Sequence, residues 1–145
     1  MINQLAALAS VLRDQKATLF ARWEAVVRKL PGAANLDGLA LRDHIPQFID
    51  DIIAAVAHRE EEVLEQAGAG SPLEHGAQRQ AAGFEIKEVV IEYKVLRCGV
   101  LDMAERAGLR LSASDCRVVN DIFDDAIALA VDAFSREQAL ELQRR

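Results

Sequence analysis

Residues 75–97 read HGAQRQAAGFEIKEVVIEYKVLR, and the fold class follows from their spacing. Taking Tyr93 as zero on a helical wheel, Ile86, Val89, Val90, Leu96, Val100 and Ala104 fall within about 60° of it at about 100° per residue. That is an amphipathic helix, not a strand, because the apolar residues recur every three or four positions. His75, Arg79, Glu92, Tyr93 and Arg97 are set into this pattern. Arg97 lies at about +40°, inside the apolar stripe, and His75 and Arg79 extrapolate to about 0° and +40°. The phase therefore survives Gly83. A single helix over 72–107 would still be about 54 Å long, against about 42 Å for the first helix of the chain. Gly83 is a natural helix end and Phe84 can pack over the junction, so a break or strong bend is expected there.

The same periodicity extends outward in both directions. Leu5, Leu8, Leu12, Leu19, Trp23, Val26 and Leu30 predict a helix over 3–30, interrupted near Asp14 by the polar Gln15 and Lys16 and ended by Pro31-Gly32. A loop or weak turn over 35–38 leads into a second helix. Asp43 suits its N-cap, Pro46 its first turn, and Ile45, Phe48, Ile49, Ile52, Ile53 and Val56 its buried face, continued by Val63 and Leu64. Residues 59–62, REEE, read as its solvated side. Residues 68–72, GAGSP, are the clearest loop, with Ser71 as cap, Pro72 at the first helical position and Glu74 closing a capping box. After Gly108, Ser112 or Ser114 caps a last helix with Asp115 in its first turn. Its buried face is Val118, Val119, Ile122, Phe123, Ala126, Ile127, Leu129, Ala130, Ala133 and Phe134. The expectation is one all-α domain over 1–145, a bundle of four to five main helices, globin-like in outline, with a long C-terminal helix.

Composition agrees with that class. Hydrophobic residues make up 51% but aromatics only 5%, with 8 Gly and 3 Pro, which suits helices packed through small aliphatic side chains. The 23 acidic and 17 basic residues leave a charge of −6 with no basic stripe, so neither nucleic acid nor an anionic membrane is an expected partner. Cys98 and Cys116 read as reduced, apolar fillers. The first residues lack a basic start and a long apolar run, which excludes a signal peptide. No run approaches the roughly 18 apolar residues of a membrane span, and a cytoplasmic setting is the default.

Catalytic and cofactor chemistry is poorly represented. None of His44, His58 and His75 has a Glu three residues before it, as a di-iron bundle requires, and no Cys/His spacing suits zinc. Two alternatives remain open on the histidines. One is an axial haem ligand in a globin-like bundle, against which the few aromatics are spread over every helix. The other is a histidine phosphotransfer domain, but Gln78 and Arg79 stand where a Lys and a Gly would follow His75. No phosphate-binding Gly loop or nucleophile elbow is present.

An Arg inside an apolar stripe must be paired, since a stranded buried guanidinium is costly. Glu92 lies about 100° from Tyr93 on the same helix, so Glu24, Asp50, Asp121 and Asp125 are the candidate partners for Arg97. Arg97 is then either a structural ion pair at the flank of the bundle or part of a cluster with His75, Arg79 and Tyr93. Such a cluster would line a pocket or a dimer seam, with Arg79 and Arg97 as forks for a carboxylate or phosphate.

The string His75, Arg79, Gly83-Phe84, Glu88-Val89-Val90, Glu92-Tyr93, Leu96-Arg97 resembles the RsbRD-type N-terminal domain. That family stands ahead of bacterial sensor histidine kinases and of stressosome-type regulators of the RsbT co-antagonist kind. The resemblance extends more weakly to Leu5, Leu8 and Trp23 and to Ile45-Pro46 and Ile49, so it covers most of the chain. It implies an all-helical, dimeric sensory or regulatory input domain without catalysis of its own, a two-component or stressosome-type element with no shared cofactor. Its signal would pass through the last helix into a kinase or other output domain. Residues 135–145 stay helix-prone with only Leu140 and Leu142 for packing and no Gly or Pro to stop them, which suggests the start of a linker helix. Glu85 departs from the Asp or Ser expected as cap after Phe84, which leaves the start of that helix open.

Overall fold

The computed structural model describes residues 3–37, 41, 45–57 and 70–144, and among these every regular element is helical. The α-helices are α1 (Gln4–Asp14), α2 (Lys16–Val27), α3 (Ile45–Ala57), α4 (Gly70–Ala81), α5 (Ile86–Arg106) and α6 (Ala113–Arg144). A 3-10 turn, Pro31–Asn35, follows α2. The expected Asp43 cap, the 59–62 face, Val63 and Leu64 lie outside the described residues.

Among the described residues there are six α-helices against the four to five main ones expected, and two long segments divide where a break was expected. The first divides at Gln15, between α1 and α2. The second divides at Gly83, whose φ of +88° favours a residue without a Cβ. There the Phe84 N–H donates to the Arg79 carbonyl at 3.0 Å and the Gly83 N–H to the Gln80 carbonyl at 3.1 Å. These are the crossed bonds of a Schellman end, so α4 stops and the chain reverses into α5.

Two caps differ from expectation or sharpen it. α4 spans Gly70–Ala81, so Ser71 falls within the helix. At α6 the cap is Ser112: its Oγ accepts the Asp115 N–H and the Asp115 carboxylate accepts the Ser112 N–H, each at 3.0 Å.

Helix α3 is the apolar centre, packing on α1 and touching α2, α4 and α6. It buries Ile45, Phe48, Ile49, Ile52, Ile53 and Val56. At about 1.5–3 kcal/mol for each large aliphatic or aromatic side chain removed from water, this face contributes on the order of 10 kcal/mol as an upper estimate. Phe48 meets Tyr93 and Phe123 edge-on, with ring centres 5.2 and 6.1 Å apart, and so joins α3 to α5 and α6. Helix α4 is built differently. Its buried residues are Pro72, His75, Gly76 and Arg79, and Leu73, its one large aliphatic, is 38% exposed. It packs chiefly along α6, where Gly76 lies against the backbone of Ala130.

Helix α6 is the longest element, at 32 residues. Val119, Ile122, Phe123, Ala126, Ala130, Ala133 and Phe134 are buried, while Val118, Ile127 and Leu129 are half-buried. Beyond Phe134 it continues with no further buried residue, and Leu140 and Leu142 are exposed. Cys98 is exposed and Cys116 half-buried, both as free thiols, so Cys98 is not the apolar filler that its position suggested. No helix among the described residues is long and apolar enough to cross a membrane.

Candidate functional site: a buried ionic group between α4 and α5

Among the described residues the interior holds an ionic group built from three helices and the Leu41 carbonyl. Arg79 of α4 is fully buried and Glu92 of α5 is 1% exposed. The Arg79 Nε donates to both Glu92 carboxylate oxygens, at 3.0 and 3.2 Å, and Nη2 donates to Oε2 at 3.0 Å. Nη2 also donates to the Leu41 carbonyl at 2.6 Å, and Nη1 to the Gln78 side-chain carbonyl at 2.6 Å. The Phe84 ring lies under the guanidinium, 4.8 Å from Cζ to the ring centre. The Trp23 indole N–H of α2 donates to the Glu92 backbone carbonyl at 3.1 Å.

His75, also 1% exposed, shares the Glu92 carboxylate: Nε2 lies 3.0 Å from Oε1. Its Nδ1 has no hydrogen-bond partner among the described residues. Nε2 is the donor in this contact, since the Glu92 carboxylate can only accept. The His75 ring meets the Tyr93 ring edge-on at 5.6 Å.

Burial pushes the Glu92 carboxyl up, but the adjacent His75 and Arg79, by charge and hydrogen bonding, outweigh it and hold the group below the ordinary value of 4.5. Burial also drives the Tyr93 phenol well above its usual range, with the Glu92 charge adding to that shift and Arg79 opposing it. The lowered Glu92 value fixes the sign of an acid effect. The unfolded chain binds this proton more readily than the folded one, so the stabilisation is complete above about pH 4.5 and is lost as pH falls through the folded value. Urea midpoints should fall on that acid limb, and Glu92→Gln should flatten the fall; an unchanged acid limb in the variant would contradict the assignment.

The structure thus brings together His75, Arg79, Glu92 and Tyr93 and leaves Arg97 out. Arg97 keeps 26% of its side chain exposed and its Nη1 donates at 3.0 Å to Asp124, itself 64% exposed, which was not among the expected partners. The cause is a rotation of the buried face. On α5 the buried residues are Glu88, Val89, Glu92, Tyr93, Leu96, Gly99, Val100, Met103 and Ala104, while Ile86 and Val90 are exposed. That face is centred about 60° to the Glu92 side of Tyr93, which takes Glu92 inside and Arg97 to the edge. A half-exposed pair contributes little, so Arg97→Ala should cost at most about 1 kcal/mol in chemical denaturation, part of it from lost packing of the stem.

Glu88, also buried, was not singled out beforehand. Its carboxylate accepts the Gly32 N–H and the Glu85 N–H, each at 2.9 Å, so one side chain ties the 3-10 turn to the start of α5. Glu85 is accordingly a workable N-cap for that helix, its backbone N–H donating to the Glu88 carboxylate. The signal for both acids was their four-residue spacing on one helix face, with Arg79 the one cation nearby in sequence that also falls on an inner face.

Among the described residues the side chains of the group bond to one another and are almost fully buried. The Arg79 fork donates to Glu92, the Leu41 carbonyl and Gln78. His75 is turned to Glu92 in the interior. His44 and His58 lie outside the described residues. A surface hollow of about 610 Å³ among Arg13, Asp14, Lys16, Ala17, Phe20 and Pro46 does not touch the group. No set of three or more metal-ligating side chains occurs among the described residues. Comparison of the chain with family models, with curated proteins and with solved structures returns no match.

Proposed function

We propose that this chain is a non-catalytic sensory or regulatory input module of the RsbRD type, dimeric in its working state, that passes a signal through α6 to a histidine kinase or stressosome-type output domain. The observation that carries this reading is the behaviour of α6 beyond the bundle. The helix continues from Phe134, its last buried residue, to Arg144, about 15 Å farther. Leu140 follows Ala133 by seven residues and so continues the buried stripe, yet it is 47% exposed. A helix that leaves its bundle with its stripe intact is suited to carry a rotation or shift to a neighbour. The interior supports the same reading, because its charged group is sequestered and offers no reacting atom to a substrate.

Fusion of this chain through α6 to the catalytic portion of a histidine kinase tests the proposal. Inserting two residues after Phe134 turns the downstream helix by about 200°, to the opposite face, while inserting seven restores the phase to within about 20°. Kinase output should change sharply with two residues and recover with seven. Output indifferent to helical phase would overturn the reading.

A further inference from the structure

We infer that α4 is the releasable element of this bundle, and that its docking by charge and backbone contact, in place of an aliphatic face, makes it the switch that acts on α6. The release itself follows from how α4 is held; only its use as a signal rests on the function proposed above.

Every described buried residue of α4 is a Pro, a His, a Gly or an Arg, and Leu73 is 38% exposed. Its ties to the rest of the molecule include the Arg79 bonds to Glu92 and the Leu41 carbonyl, and the His75 contact with Glu92. Its longest seam runs along α6, where Gly76 packs closely on Ala130 and the Gln80 amide donates to Glu141 at 2.6 Å. Released into water, guanidinium, imidazole and carboxylate all regain hydration, which returns much of what their mutual attraction supplied. An aliphatic face such as that of α3 recovers nothing of the kind. The helix held by charge is therefore the one that opens first, as a unit.

The consequence falls on α6. Ala130 is fully buried, and Ala126 and Ala133, four residues before it and three after, share its face. Gly76 lies so close to the Ala130 carbonyl that no side chain intervenes, so α4 cannot leave or turn without altering the contact surface of α6. Gln80 reaches Glu141, seven residues beyond the last buried position of the helix. One short helix thus touches the ionic group at its inner side and the protruding part of α6 at its outer side.

Hydrogen exchange on the whole chain in native buffer, with sub-denaturing urea steps, tests the inference. Amides of 73–81 should exchange at least about tenfold faster than the slowest amides of α3 and α5, with a weaker urea dependence, as expected of partial opening. Glu92→Gln should speed α4 further and in excess of any effect on α3, whereas Arg97→Ala should not. If Glu92→Gln fails to fold, Gln80→Ala offers a surface alternative that loosens α4 alone. Exchange of α4 at the rate and urea dependence of α3 would overturn the inference, as would a variant that speeds all helices equally. A releasable α4 combined with kinase output blind to helical phase would leave this inference standing and remove the signalling reading; a locked α4 with phase-dependent output would do the reverse.

Discussion

Glu92→Ala should lower the free energy of unfolding by about 3–5 kcal/mol, the range for removing one partner of a buried ion pair. Arg79 is fully buried, so solvent cannot take the place of the carboxylate, and three of its bonds end on that one group. The same substitution removes the only partner of His75 Nε2 seen among the described residues. Chemical denaturation followed by the fluorescence of Trp23, the single Trp, gives the value directly. Replacing both charges, as Arg79→Met with Glu92→Leu, should cost far less than either single change to Ala, because no charge is then left stranded. A loss below about 1 kcal/mol for Glu92→Ala would mean that the pair is open to water.

Gly76→Ala is the second large effect, and here two forces of opposite sign compete. Alanine within a helix is favoured over glycine by about 1 kcal/mol. Against that, a Cβ at this position would lie 2.0 Å from the Ala130 carbonyl oxygen and 3.0 Å from its Cα. The obstacle is the backbone of α6, so no change of rotamer relieves it and the two helices must separate. Overpacking of this kind costs about 1–3 kcal/mol and occasionally more, and with backbone on the far side the upper end applies. The net expectation is a loss of about 2 kcal/mol in thermal or chemical unfolding. A stabilised variant would show that α4 and α6 are not in backbone contact.

Much of the helical layout was legible because its signals are local. Pro31-Gly32, Gly83, Gly108 and the Ser112–Asp115 pair each mark a helix boundary through their own backbone chemistry, and the apolar spacing of α1, α3 and α6 follows from burial on one side. The polar core was legible only in part. His75, Arg79, Glu92 and Tyr93 stood out as unusual residues, but their pairing joins positions 13 and 17 residues apart across the turn at Gly83. A wheel carries no information across such a reversal. It also weighs Ile86 and Val90 as core and Glu88 and Glu92 as surface, whereas an acid with several donors waiting inside the bundle is stable there. That is why Arg97 drew attention that belonged to Arg79. Nothing local to residues 70–81 says that this helix is held by charge, since the carboxylate lies on another helix.

The account rests on one buried ionic group that organises the packing of α4 on α5 and α6, and a double-mutant cycle between Arg79 and Glu92 tests that claim most directly. With Arg79→Met and Glu92→Leu measured singly and together by urea unfolding, the cycle should return a coupling energy of at least about 3 kcal/mol, since each single change strands a charge that the double change removes. Additivity within about 0.5 kcal/mol would contradict it.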